Sequence, residues 1–278
     1  MNTLILNCNN VIGSNKNIYR YNFPQGGIKI KEGTKICLSS LTIPYSWFNI
    51  SSSYSNNSIS FSFPQTGSQP TYTITIQDGF YNIDDLNYYL QQYFIANSFY
   101  LINSSGQNVY YISLQYNPTY YAIQAVLTVL PTSIPVGWTA PVGFRGLPTT
   151  TLAPQLIINN DGISKYLGFS QGSYPSTAST TSQSFLSNLV PVGSNVNSLA
   201  IRCNLITNKL SFPSDALDSV PINSSFGSNI NYNPAFEKFI SCSPGQYNSL
   251  DVMINDESFN NIVIKDSNVV ITLLIKEE

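Results

Sequence analysis

The sequence predicts an all-β sandwich with Greek-key or jelly-roll connectivity, one short amphipathic helix and long irregular loops. Three observations lead there. Short runs alternate apolar and polar side chains at the period of a half-buried strand, as in Ile59-Ser60-Phe61-Ser62-Phe63. Stretches rich in Pro, Gly, Asn and Ser separate these runs. A single segment, ending at Ala96, repeats its apolar residues at convincing helical spacing.

Taken in order, Thr3 to Asn7 is a short strand and Ile18 to Phe23 an alternating one. Pro24-Gln25-Gly26-Gly27 then reads as a turn before Ile28–Lys31. Lys35 to Ile43 (KICLSSLTI) is the best early strand, and Pro44, which has no backbone N–H to donate, ends it. Tyr45 to Ile50 forms an aromatic corner in which Trp47 and Phe48 plug one end of the sandwich or, alternatively, offer a ligand platform.

Thr71 to Ala96 combines a strand, a turn and the helix. Thr73 to Ile76 alternates, and Asp78-Gly79 turns the chain because Gly accepts positive φ without steric cost. Asn82 stands at the N-cap, with Asp84 and Asp85 in the first turn beside unpaired N–H groups. Tyr81 and Leu86 fill the two positions of a hydrophobic staple, while Ile83, Leu86, Leu90 and Phe94 share one face.

Val109 to Gln115 and Tyr120 to Leu130 make two strands around Asn117-Pro118. Residues 131–154 are a Pro/Gly-rich loop insertion, and 170–195 a Ser/Thr-rich one, within a single domain spanning 1–278. Asp161 to Phe169 reads as a short helical turn capped by Gly168. Asn197 to Ile206 restores the β pattern, Lys209 to Pro234 is irregular, and Phe236 to Ile240 is a candidate strand. Leu250–Ile254 and Val269–Ile275 close the chain, the last almost continuously apolar and so suited to burial on both sides. No internal repeat is evident.

Composition narrows the function. Of 278 residues, 9% are charged and 42% hydrophobic, with 19 Tyr and 15 Phe. An average soluble domain is about 25% charged. Between Asp85 and Arg145 there is no charge at all. Such a surface resists disorder but invites association, because interface cores are poor in charge and rich in aromatics. A net charge of -2 gives no reason to expect direct nucleic-acid binding. No apolar run approaches the roughly 20 residues of a membrane span, and the N-terminus has no pattern of a secretory signal.

Catalytic chemistry finds few parts. The chain has no His, which removes Ser-His-Asp and Cys-His arrangements. Cys8, Cys37, Cys203 and Cys242 are scattered and read as reduced thiols rather than a zinc site. Asp84-Asp85 suits the helix N-terminus better than a catalytic pair, and Asp256-Glu257 suits a solvated turn better than a calcium site. Phosphate-binding glycine motifs are absent. No catalytic, cofactor-binding or metal residue is therefore expected. N-x-[ST] triplets at Asn49, Asn56, Asn103 and Asn223 are expected by chance in an Asn/Ser-rich chain.

The ordered set KICLSSLTIPYSWFNI, IQDGFYNIDDLNYYL, KYLGF and SLDVMINDESFNN…VVITLLI resembles the penton or minor capsid single jelly-roll proteins. These occur in virophages, polinton-like viruses and related large double-stranded DNA viruses. The resemblance implies a single jelly-roll β-sandwich and a non-enzymatic shell protein of the virion. It implies homopentamers at capsid vertices, contacts with the major capsid protein and other minor capsid proteins, and assembly in the host cytoplasm. Another minor capsid or cement role is the near alternative. A distinct alternative is a glycan- or receptor-binding sandwich using Trp47, Trp138, Tyr110, Tyr111, Tyr120 and Tyr121 as stacking platforms.

Overall fold

The computed structural model describes residues 1–24, 26–194 and 196–277; Gln25 of the expected first turn lies outside them. Among the described residues the chain is all-β apart from two α-helices and short 3-10 turns. Its contacts divide it into two compact units, Met1–Trp47 with Val196–Glu278, and Phe48–Asn195.

The first unit is built on eight strands: β1 (Asn2–Leu6), β2 (Ile18–Asn22), β3 (Lys35–Pro44), β4 (Ser198–Cys203), β5 (Ala216–Pro221), β6 (Asn229–Tyr232), β7 (Ser249–Asp256) and β8 (Val270–Lys276). One sheet runs β1-β8-β3-β6 and the other β5-β4-β7-β2, extended by Val11–Ile12. All the pairings are antiparallel, and the chain changes sheet at every connection except β4 to β5. Two four-stranded sheets wound in this order form a jelly roll. Pattern decides which face is inside. Leu250, Val252 and Ile254 alternate inward along β7, Leu199 and Ile201 along β4, and Ile271 and Leu273 along β8, all buried.

The outward faces differ. On the β2-β7-β4 side, Arg20 holds Asp251 through two hydrogen bonds (2.8 and 2.6 Å), and Arg202 holds Asp215 likewise (2.9 and 2.8 Å). Bidentate forks of this kind fix geometry as well as charge. Bulges at Ile201/Arg202 and Thr272/Leu273 break the register of β4 and β8.

The second unit interrupts the jelly roll between β3 and β4. Its core is aromatic: Phe61, Phe63 and Phe99 meet edge to face at 4.9–5.3 Å, and Phe94 meets Phe61 at 5.3 Å. A sheet of Gly172–Tyr174, Gln155–Ile158, Ser58–Ser62 and Thr71–Thr75, in that order, carries part of this core. A second sheet of Ile112–Asn117, Ala122–Leu127 and Gln183–Leu186 carries the rest. Helix α1 (Ile83–Ala96) buries Leu86, Leu90 and Phe94, with Ile83 partly buried, as its periodicity predicts. Helix α2 (Asp161–Leu167) ends at Gly168, whose φ of +72° is the left-handed cap.

Several expectations change here. The jelly roll uses residues 1–47 and 196–278, and residues 48–195 form a second compact unit within the chain. Residues 48–195 lie between β3 and β4 in the chain and bury a core of their own. The helix of the Thr71–Ala96 stretch accordingly belongs to the inserted unit, and α2 joins it as a second helix. Finally, Lys209–Pro234 supplies β5 and β6, while Phe236–Ile240 gives only the end of the two-residue strand Ile240–Ser241. The 131–154 stretch is loop throughout, tied by single bridges, but 170–195 contributes the strands Gly172–Tyr174 and Gln183–Leu186.

Candidate functional site

The inserted unit carries very little charge. Across 48–195 the charged residues are Asp78, Asp84, Asp85, Arg145, Asp161 and Lys165 alone. Two apolar features stand out on it, one near each end of α1.

At the C-terminal end of α1 the Pro-rich loop makes two matching turns, Pro135-Val136-Gly137-Trp138 and Pro141-Val142-Gly143-Phe144. Each closes with an amide donating to the proline carbonyl, Trp138 N to Pro135 O at 3.0 Å and Phe144 N to Pro141 O at 3.1 Å. Gly137 and Gly143 both have φ of +79°, the third-position conformation of a type II turn. Trp138 and Phe144 anchor the turns on the core, leaving Val136 and Val142 wholly exposed at the tips (101% and 100%). Ser98 Oγ donates to Val142 O at 2.8 Å, Arg145 Nε donates to Asn97 O at 3.2 Å, and Ile102 and Thr139 exchange two backbone bonds of 2.9 Å. The loop is thus stapled to the end of the helix.

At the N-terminal end of α1 lies a pocket of about 150 Å³ lined by Ile83, Tyr116, Tyr121, Ile123, Tyr166 and the Pro191–Gly193 segment. Tyr116 and Tyr121 stand edge to face, centroids 6.3 Å apart. Tyr121 has φ of +48°, a strained backbone for a bulky side chain. Tyr166 donates from its hydroxyl to Tyr81 O at 2.7 Å, and burial pushes its ionisation far up, so it stays neutral. Exposed Leu189, Val190 and Val192 adjoin Pro191 in the chain.

The six aromatics considered for stacking do not come together. Trp47 and Tyr111 are buried, the first against Tyr45 at 4.5 Å, so the corner at Trp47 is packing. Trp138 and Tyr110 are half-buried against the core, and only Tyr120 and Tyr121 are exposed (67% and 63%). Tyr116, which no motif or spacing marks, completes the exposed group.

The acidic candidates take structural roles. Asp85 forms a capping box with Asn82, its Oδ2 accepting from Asn82 N at 3.1 Å and its amide donating to Asn82 Oδ1 at 2.8 Å. Asp256 accepts from the amides of Ser258 and Asn260 within its own turn. Glu257 accepts from Asn197 N and Nδ2; burial raises its pKa, but these bonds and others to backbone amides outweigh it, and the net shift is downward. Cys8 is exposed, whereas burial pushes the thiols of Cys242 and Cys203 up to about 11 and about 12. Of the N-x-[ST] positions, Asn49 and Asn56 are buried and Asn223 is exposed. Among the described residues no cluster of three His, Cys, Asp or Glu side chains is placed to hold a metal, and no helix is long and apolar enough to cross a membrane.

The fold defines a class, the two-sheet jelly-roll proteins, here with a large unit inserted between the third and fourth strands. No protein-family model and no curated protein matches the chain. Among solved structures it is similar to the mavirus penton protein, at 10% identity and a TM-score of 0.42, over 99% of this chain and 98% of that one. It is also similar to a chain of the Sputnik virophage structure, at 11% identity and a TM-score of 0.38, over 99% and 97%.

Proposed function

We propose that this chain is a structural capsid subunit, a penton protein that forms homopentamers at icosahedral vertices and contacts major capsid capsomers. The observation that carries the reading is the strand order β1-β8-β3-β6 and β5-β4-β7-β2, the double-sheet winding used by viral capsid domains. The near-absence of charge across 48–195 supports it, since a subunit closed into a ring must bury two different faces against its neighbours. Apolar area removed from water contributes about 25 cal/mol per Å² before the cost of association. The role asks for no catalytic residue, cofactor or metal. It places the protein in the virion, after assembly in the host cytoplasm.

Native mass measurement of the purified chain, with imaging of particle vertices, tests this. Five-copy rings and density at the vertices are expected; a stable monomer absent from particles overturns the reading. A sugar- or receptor-binding role rests on the exposed Tyr120 and Tyr121, and saturable binding in a glycan screen by isolated subunits would bring it forward.

A further inference from the structure

We infer that copies of this chain meet head to tail through the inserted unit: the Val142 turn tip of one copy enters the Tyr116–Tyr121 pocket of the next. The inference rests on the shell role proposed above and names the surfaces that would close its ring.

Each half of the contact is incomplete alone. Val142 and Val136 project from turns whose other side chains are anchored, so each tip is an aliphatic side chain held ready on a fixed backbone. Such pre-organisation lowers the entropy lost on association. The pocket, at about 150 Å³, is walled by aliphatic and aromatic side chains. An apolar cavity of roughly that volume accepts a molecule the size of benzene, which leaves room for a branched aliphatic tip. Tyr121, one of these walls, is exposed and sits on a backbone with φ of +48°. Beside it, Leu189 and Val190 offer an exposed apolar strip for Val136. The two tips are six positions apart in the chain, a span of at most about 22 Å.

Position makes the contact intermolecular. The pocket includes Ile83, the first residue of α1, and the turns are stapled at Asn97 and Ser98, just past its last. Fourteen helical residues at about 1.5 Å each separate them by about 20 Å, so a subunit does not fill its own pocket. Two different patches that fit one another generate a ring or a filament rather than a two-fold dimer.

Charge is complementary in the same sense. The pocket end carries exposed Asp84 and Asp85, and the turn end carries exposed Arg145, one of two cations in the unit. Arg145 lies over the Phe99 ring at 5.3 Å, and among the described residues neither it nor Asp84 has an ion-pair partner. Head-to-tail docking sets Arg145 of one copy toward Asp84 of the next.

The test uses the full chain with Cys8→Ser to remove the exposed thiol. Val142→Cys and Tyr116→Cys variants, mixed and oxidised, should give a disulfide-linked pair, while neither alone should dimerise. The variant carrying both should give a ladder ending in a closed ring. Val142→Asp should weaken assembly at least tenfold without moving the melting temperature, and Asp84→Arg with Arg145→Asp should assemble better than either alone. Dimers from Val142→Cys alone, or a wild-type ring indifferent to Val142→Asp, overturn this interface and leave the shell role standing. A wild-type chain that is monomeric and absent from particles overturns both. A glycan bound saturably by monomers and lost in Tyr121→Ala gives the pocket to a sugar and likewise overturns the inference.

Discussion

Asn49 and Gly193 are 144 positions apart in the chain, and the Asn49 Nδ2 donates to the Gly193 carbonyl at 2.8 Å. The same amide nitrogen donates to Tyr81 O at 2.7 Å, while its Oδ1 accepts from Tyr81 N at 2.8 Å. One buried side chain therefore ties the beginning of the inserted unit to its end and to the approach to α1. Asn49→Ala leaves the part-buried Tyr81 amide without its partner, while Tyr81 O keeps the Tyr166 hydroxyl and the exposed Gly193 carbonyl turns to water; losing a hydrogen bond of this kind costs about 1 kcal/mol. Urea unfolding should show a midpoint well below wild type, and Asn49→Asp should not restore it, because a carboxylate cannot donate to Gly193 O.

Gly168 is the second brace of the same region. A Cβ there would stand 2.5 Å from Leu189 O and 2.8 Å from Pro191 N, on a backbone with φ of +72°. Gly168→Ala should destabilise by more than the roughly 1 kcal/mol of an ordinary glycine replacement, through strain and displaced backbone. Thermal melting reads the loss, and Pro191 should shift with it, altering the Tyr116–Tyr121 pocket.

Tyr111 is buried, its hydroxyl has no partner among the described residues, and burial raises its pKa to about 12. The sign follows from the folded state holding its proton more tightly than the unfolded one. This stability is fully present below the unfolded value of about 10 and is lost as pH rises toward 12. Tyr111→Phe should be neutral or slightly stabilising at pH 7, since an unsatisfied polar atom is removed. It should also flatten the alkaline decline, measured as melting temperature against pH.

Cys8 is exposed and Cys37, Cys203 and Cys242 are buried. Thiol labelling of the native protein should modify one site quickly, and Cys8→Ser should abolish that phase. The other three should react only on unfolding, because thiolates are the reactive form and burial disfavours them.

Local signals are legible in the sequence where neighbours in the chain are also neighbours in space. The Asn82 cap, the stripe from Ile83 to Phe94 and the Gly168 cap all lie within one helix length. Long-range pairing left weaker traces. β6 contributes a single buried residue, Ile230, in four, and β5 ends in a proline, so neither carries the alternation that marks β7. The division into two units was hidden because both β patterns look alike along the chain. The paired turns at 135–138 and 141–144 were within reach: P-V-G followed by an aromatic occurs twice, six positions apart. The pocket was not, since Ile83, Tyr116, Tyr166 and Pro191 share no sequence neighbourhood.

β1 and β8 pair across almost the whole chain, Asn2 opposite Ile275. On a ribosome, residues 2–6 emerge long before residues 270–276, the strand they pair with, are made. Loop-closure entropy grows only with the logarithm of length, and the Asn49–Gly193 clamp makes the interruption between β3 and β4 behave as a short tether once the insert has folded. The insert can thus mature while the C-terminal strands are still being synthesised. The jelly roll zips shut afterwards, a slow, non-local step that leaves the outermost strand as the final piece to dock.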